Sequence, residues 1–167
     1  MQPDRFTIKS QEALQAAQEL ADQRRNPQTT PEHLLAVLLE QNEGIVAPVL
    51  RKLGVQPGAV RQALQPRLQT LPTVSRGSAP AEPVGGSTEL AQVLRTAEAE
   101  MRELGDEYVS TEHLLLALAG AQMGTSPGAG SGAGEVLREL GADHDALLQA
   151  LGEVRGSHRV TDQSPED

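Results

Sequence analysis

Two glutamate–histidine pairs, Glu32-His33 and Glu112-His113, bring together the side chains in this chain best suited to chemistry. A zinc-protease helix needs a second imidazole one turn further on, so that both rings face one ion. The turn after His33 supplies Val37 instead, and the turn after His113 supplies Ala117. The remaining histidines, His144 and His158, lie in unrelated places. Each paired histidine is therefore expected to pack at the start of a helix and to hydrogen-bond nearby rather than hold a metal. Serine, histidine and aspartate all occur, but the Gly-x-Ser-x-Gly spacing at Gly124-Thr125-Ser126-Pro127-Gly128 falls in a Gly/Ser/Ala run read as a loop, not between a strand and a helix as a nucleophile elbow would. The many carboxylates read as solvated helix faces. The two lysines, Lys9 and Lys52, sit outside any Gly-x-x-x-x-Gly-Lys phosphate loop, so ATP is not bound here by that mechanism. No catalytic residue, metal ligand or cofactor is expected.

The pairs are more informative about architecture. Thr30-Pro31-Glu32-His33-Leu34-Leu35 returns eighty residues later as Ser110-Thr111-Glu112-His113-Leu114-Leu115. Leu14 and Ala17 match Leu94 and Ala97 at the same offset. Downstream, Leu50-Arg51-Lys52-Leu53-Gly54 matches Leu137-Arg138-Glu139-Leu140-Gly141, and Ala63-Leu64 matches Ala150-Leu151, at an offset of 87. The seven additional residues fall in the Gly/Ser/Ala run over 120–134. The chain is thus a duplicated unit.

Each copy reads as four helices. In the first, Thr7 caps a helix through Leu14, Ala17 and Ala21 that ends by Asn26-Pro27. Thr30 caps a second, with Pro31 at its first position and Glu32 in its first turn, reaching about Gln41. A third spans about 44–53 and stops at Gly54, and a fourth spans about 57–68. In the second copy, Ser87 caps a helix to about Leu104, Ser110 one to about Ala119, a third covers about 134–140, and Asp143 caps a last one ending near Val154. The copies occupy 6–68 and 87–154. Residues 69–86, with Pro72, Pro80 and Pro83, form a linker, and 155–167 a polar connector.

Composition agrees. Of the 167 residues 38% are apolar, with one Phe, one Tyr and no Trp, so an Ala/Leu core of packed helices is favoured over a sheet. There is no cysteine, hence no disulfide framework. A net charge of −9 opposes binding to nucleic acid or to anionic lipid. The longest apolar runs, such as Leu34 to Leu39, fall far short of the roughly 20 residues that span a bilayer. Met1-Gln2-Pro3-Asp4-Arg5 carries no signal-peptide pattern, and a cytoplasmic location is expected.

Helix by helix, this pattern resembles the Clp N-terminal domain, the paired four-helix module that precedes the ATPase rings of Clp/Hsp100 unfoldases, and within that family the ClpB disaggregases. The resemblance rests on the stretch Phe6-Thr7-Ile8-Lys9-Ser10-Gln11-Glu12-Ala13-Leu14, on Pro31-Glu32-His33-Leu34-Leu35, on residues 105–118, and on residues 154–167, which resemble the exit of a ClpB chain toward its first ring. It implies an all-α, pseudo-twofold duplicated four-helix repeat. It also implies a non-catalytic module that engages exposed apolar segments of unfolded or aggregated protein clients, with ATP hydrolysis in modules outside this chain. The parent would be a hexameric ring and the isolated domain a monomer. The runner-up is an adaptor-binding domain of the ClpC/ClpA kind. By motif, the family's client contacts fall on Thr7, Asp106 and Glu112. Phe6, Ile8, Tyr108 and Val109 flank them as walls of a shallow apolar groove.

Overall fold

A computed structural model describes residues 5–41, 44–74, 85–120 and 132–156. Helices α1 (Ile8–Gln23), α2 (Pro31–Glu40), α3 (Val46–Lys52) and α4 (Pro57–Gln69) form the first copy. Helices α5 (Thr88–Glu103), α6 (Thr111–Ala119), α7 (Gly132–Glu139) and α8 (His144–Arg155) form the second. The only strands among the described residues are two-residue segments, β1 (Gln28–Thr29) and β2 (Gly85–Gly86). The fold is all-α and duplicated, as the repeat implied.

The starts of the helices follow from single side chains. Thr7, Ser87 and Asp143 each accept the N–H three residues on (Ser10, Leu90 and Ala146), satisfying one orphan donor of the first turn. Gly54 and Gly141 end α3 and α7 at φ +78° and +90°, a conformation glycine adopts without strain. After α1 the same task falls to Arg25 at φ 60°, where the second copy has Gly105 at φ 74°. Two boundaries depart from expectation. Helix α7 begins at Gly132, ahead of Gly134, because Glu32 of the first copy accepts its first N–H at 2.6 Å. Helix α8 runs to Arg155, so that residue belongs to the second copy and not to the connector. Connector residues 157–167, the stretch 121–131 and linker residues 75–84 lie outside the described residues.

Helices α2 and α6 are buried on every side and form the centre. All nine residues of α6 and nine of the ten in α2 are buried. Leu34, Leu35, Leu38, Leu114, Leu115, Leu116 and Leu118 are each at most 2% exposed. Around them the copies interleave: α3 packs against α8, and α4 against α7. The leader of each copy also pairs with the other copy. Phe6 bridges Val109 in parallel, with Thr7 N–H on Val109 C=O at 3.0 Å. Gly86 pairs Thr29 in parallel, with Ser87 N–H on Thr29 C=O at 2.8 Å. Since Phe6 matches Gly86 and Thr29 matches Val109 at the repeat offset, these are one contact made twice, reciprocally. The linker is tied at its start as well: Asn26 Nδ2 donates to Pro72 C=O at 2.9 Å, and Val74 N–H to Arg25 C=O at 2.8 Å.

Candidate functional site

The glutamate–histidine pairs are capping devices. His33 Nδ1 accepts the Thr30 N–H at 2.9 Å, and His113 Nδ1 accepts the Ser110 N–H at 2.8 Å. Each imidazole reaches back to the N-cap as a glutamate would in a capping box. With Nδ1 accepting, the ring proton lies on Nε2. In the first copy Nε2–H donates to Asn26 Oδ1 at 2.7 Å, and in the second to Asp106 Oδ2 at 2.7 Å. Both rings are fully buried, as the sequence reading placed them. Burial, with a smaller push from Arg24, lowers the pKa of His33 to about 4 against a weaker opposing pull from Glu32. No group of three or more potential metal ligands occurs among the described residues.

The copies diverge where Asp106 replaces Asn26. Arg155, the last residue of α8, donates from Nη2 to Asp106 Oδ1 at 2.6 Å and from Nη1 to Asp106 Oδ2 at 2.9 Å, a bidentate pair. Its Nη1 also lies 3.2 Å from Glu112 Oε2. Glu112 Oε1 accepts the Ser110 hydroxyl proton. Burial works against the charge on Arg155, but the bond to Asp106 and the charges of Glu112 and Asp106 outweigh it, and its pKa is raised. The side chains of Asp106, Glu112 and Arg155 are 0%, 6% and 6% exposed. At the position of Arg155 the first copy has the apolar Leu68, and its Glu32 holds the N-terminus of α7 instead.

The residues expected to contact clients therefore cluster, but they are turned inward. Thr7 is buried, capping α1, its hydroxyl on Ser10 Oγ at 3.1 Å and its backbone on Val109. Asp106 and Glu112 are joined by Arg155, a residue that the sequence places in the polar connector. Of the four expected apolar walls, Phe6 and Val109 offer none, because both lie in the core at 1% and 0% exposure. Ile8 is 46% exposed, and Tyr108 is partly exposed.

The open apolar surface lies elsewhere. Between α1 and α5, beside the β1–β2 pair, is a groove of about 380 Å³ lined by Leu14, Gln18, Thr29, Gly86, Ser87, Leu90, Ala91 and Leu94. Leucines 14 and 94 are repeat equivalents, one from each copy, so the groove spans the junction of the two. The Thr29 hydroxyl, on a residue only 3% exposed, has no hydrogen-bond partner among the described residues. Sequence reasoning missed this groove, although one signal was present: the repeat sets Gly86 opposite Phe6.

The described residues thus form an all-α, doubled four-helix domain with an apolar groove where its two copies meet. The chain belongs to the Clp repeat (R) N-terminal domain family, whose model matches residues 5–126. It is 43% identical over 161 residues to the chaperone protein ClpB of Corynebacterium diphtheriae, covering 96% of this chain and 18% of that protein. It is 41% identical over 160 residues to the ClpB of Mycobacterium tuberculosis strain H37Rv, covering 96% and 18%. The chain thus spans under a fifth of these relatives, and it holds the Clp N-domain and not the ATPase modules. In fold it is similar to the Hsp104 N-terminal domain of Candida albicans, with a TM-score of 0.78 at 23% identity over 97% of this chain and 99% of that one. A complex of a ClpV N-domain with a VipB peptide is also similar, with a TM-score of 0.68 at 23% identity over 98% and 91%.

Proposed function

We propose that this chain is the client-engaging N-domain of a ClpB-type disaggregase and that it holds exposed apolar segments of unfolded or aggregated protein in the groove between α1 and α5. The observation that carries the reading is the groove itself, an open cleft lined by leucines and alanine with the polar residues Gln18, Ser87 and Thr29 among them. The ClpB relatives supply its context, and a ClpV N-domain with a bound VipB peptide is a precedent for a short segment on this fold. Thr7, Asp106 and Glu112 serve in this reading as the support that fixes the neighbouring corner, since client contact through their buried side chains would require that corner to open. The reading carries with it a hexameric parent acting in the cytoplasm.

Shallow grooves that accept many sequences bind weakly, so amide shifts are the suitable readout. Titrating unfolded casein into the labelled domain is expected to shift the amides of Leu14, Leu90, Ala91 and Leu94. Leu14→Asp, at a half-buried wall position, is expected to weaken that response about tenfold by placing a charge in the apolar wall. An intact domain that gives no shift with casein would sink the client reading. Recovery of one defined folded partner without response to casein would favour the adaptor-binding alternative of the ClpC/ClpA kind.

A further inference from the structure

The two copies fill one position in opposite ways. Phe6 stands directly before the N-cap Thr7, pairs with Val109 and is 1% exposed. Its repeat equivalent Gly86 stands directly before the N-cap Ser87 and pairs with Thr29, the equivalent of Val109. Strand register fixes the side on which a residue's Cβ projects, so a side chain at 86 would leave the backbone as that of Phe6 does. A Cβ built at Gly86 meets only Leu90 Cδ2, at 3.5 Å, an ordinary contact, and Leu90 is a groove wall. The φ of Gly86 is not positive, so its backbone does not call for glycine. The groove is therefore the space that the missing side chain would occupy. Beside it, the apolar Val109 of the other junction is replaced by Thr29, with a buried hydroxyl that lacks a partner.

Resting on the client-binding reading of the same groove, we infer that the groove is a socket for one aromatic or large aliphatic side chain presented by an extended polypeptide segment, a substitute in trans for the phenylalanine that the second copy lacks. An apolar cavity of about 150 Å³ suffices for a benzene ring. The 380 Å³ here holds such a ring with room for part of a neighbouring side chain. The Thr29 hydroxyl supplies one hydrogen bond for a client N–H or C=O beside that anchor, which a Val109-like residue could not. The pair of features selects an apolar anchor within a polar, hydrogen-bonding backbone. That is the chemistry of an unfolded polypeptide rather than of a lipid or a small hydrocarbon.

The test uses a ten-residue Ser/Gly-rich peptide with a single central residue varied through Phe, Leu, Ala and Asp, titrated into the domain by NMR. Phe is expected to bind about tenfold or more tighter than Ala, the difference between burying a ring and a methyl, with Leu between and Asp absent. Gly86→Phe is expected to fill the socket from within: it loses peptide binding about tenfold or more while the melting temperature holds or rises. Should Gly86→Phe fail to fold, Ala91→Phe blocks the same space from α5. Peptide affinity indifferent to the central residue, or full binding by a folded, blocked variant, overturns the socket even if casein still binds. Loss of response to casein and to every peptide removes the client reading and the socket together.

Discussion

Replacing Arg155 by methionine is expected to cost about 3–5 kcal/mol of unfolding free energy, because it removes the guanidinium that joins the buried Asp106 and Glu112 carboxylates. A domain of this kind has only about 5–15 kcal/mol in total, so the variant sits close to unfolding. Buried ion pairs are poor sources of net stability, yet breaking one is expensive, since the desolvation of the remaining partner is no longer offset. Hence the cost of the single change should fall sharply when the whole cluster is neutralised. Asp106→Asn, Glu112→Gln and Arg155→Met together should recover most of the loss. Urea titrations of the single and triple variants at neutral pH measure both. A single variant within about 1 kcal/mol of the parent would show that the clasp contributes little.

Acid should weaken the domain through His33 well before most carboxylates protonate. Its folded-state pKa of about 4 lies below the 6.5 of the ordinary side chain, so the unfolded chain takes up the proton first as pH falls. The contribution of His33 is complete above pH 6.5 and declines steadily until pH 4, a loss of at most about 3 kcal/mol. The cause is geometric. Nδ1 already accepts the Thr30 N–H, the ring is buried, and Nε2 bonds to the neutral amide of Asn26. Asn26→Asp gives His33 the anionic partner that His113 has in Asp106, and is expected to raise the His33 pKa by at least about one unit. Imidazole proton shifts follow the titration, and urea midpoints at pH 7 and pH 4.5 follow the stability. His33→Gln should flatten the difference between those two midpoints. If it loses as much stability on acidification as the parent, another group is responsible.

Much of the fold was legible because local chemistry announced it. Thr7, Ser87 and Asp143 cap where they were expected to, and Gly54 and Gly141 stop their helices. The burial of His33 and His113 at helix starts also followed from spacing, since neither has an imidazole one turn on. What could not be read is what depends on distant partners. Two-residue strands have no hydrophobic period, so the reciprocal pairing of the leaders left no pattern to detect. Arg155 looked like the first residue of a polar tail; only the fold brings it to Asp106, forty-nine positions away. Phe6 and Val109 were expected at a surface because they flank the polar candidates in sequence, but their pairing with each other draws both into the core. The groove was hardest of all, being defined by an atom set that is missing at Gly86 rather than by any residue present.

The exchange of leaders between copies has a consequence for how the chain gains and loses its structure. Phe6 completes the second copy, and the Gly85–Gly86 strand completes the first. Helices α3 and α4 are likewise covered by α8 and α7. Neither half can finish its own interior, so a substantial share of the packing joins residues far apart along the backbone. Such a topology raises the entropic barrier to folding and makes the two halves one cooperative unit that opens all at once. Gene duplication supplied two copies of a motif, but the product behaves as a self-dimer with a covalent tether, an arrangement in which neither member survives the departure of the other.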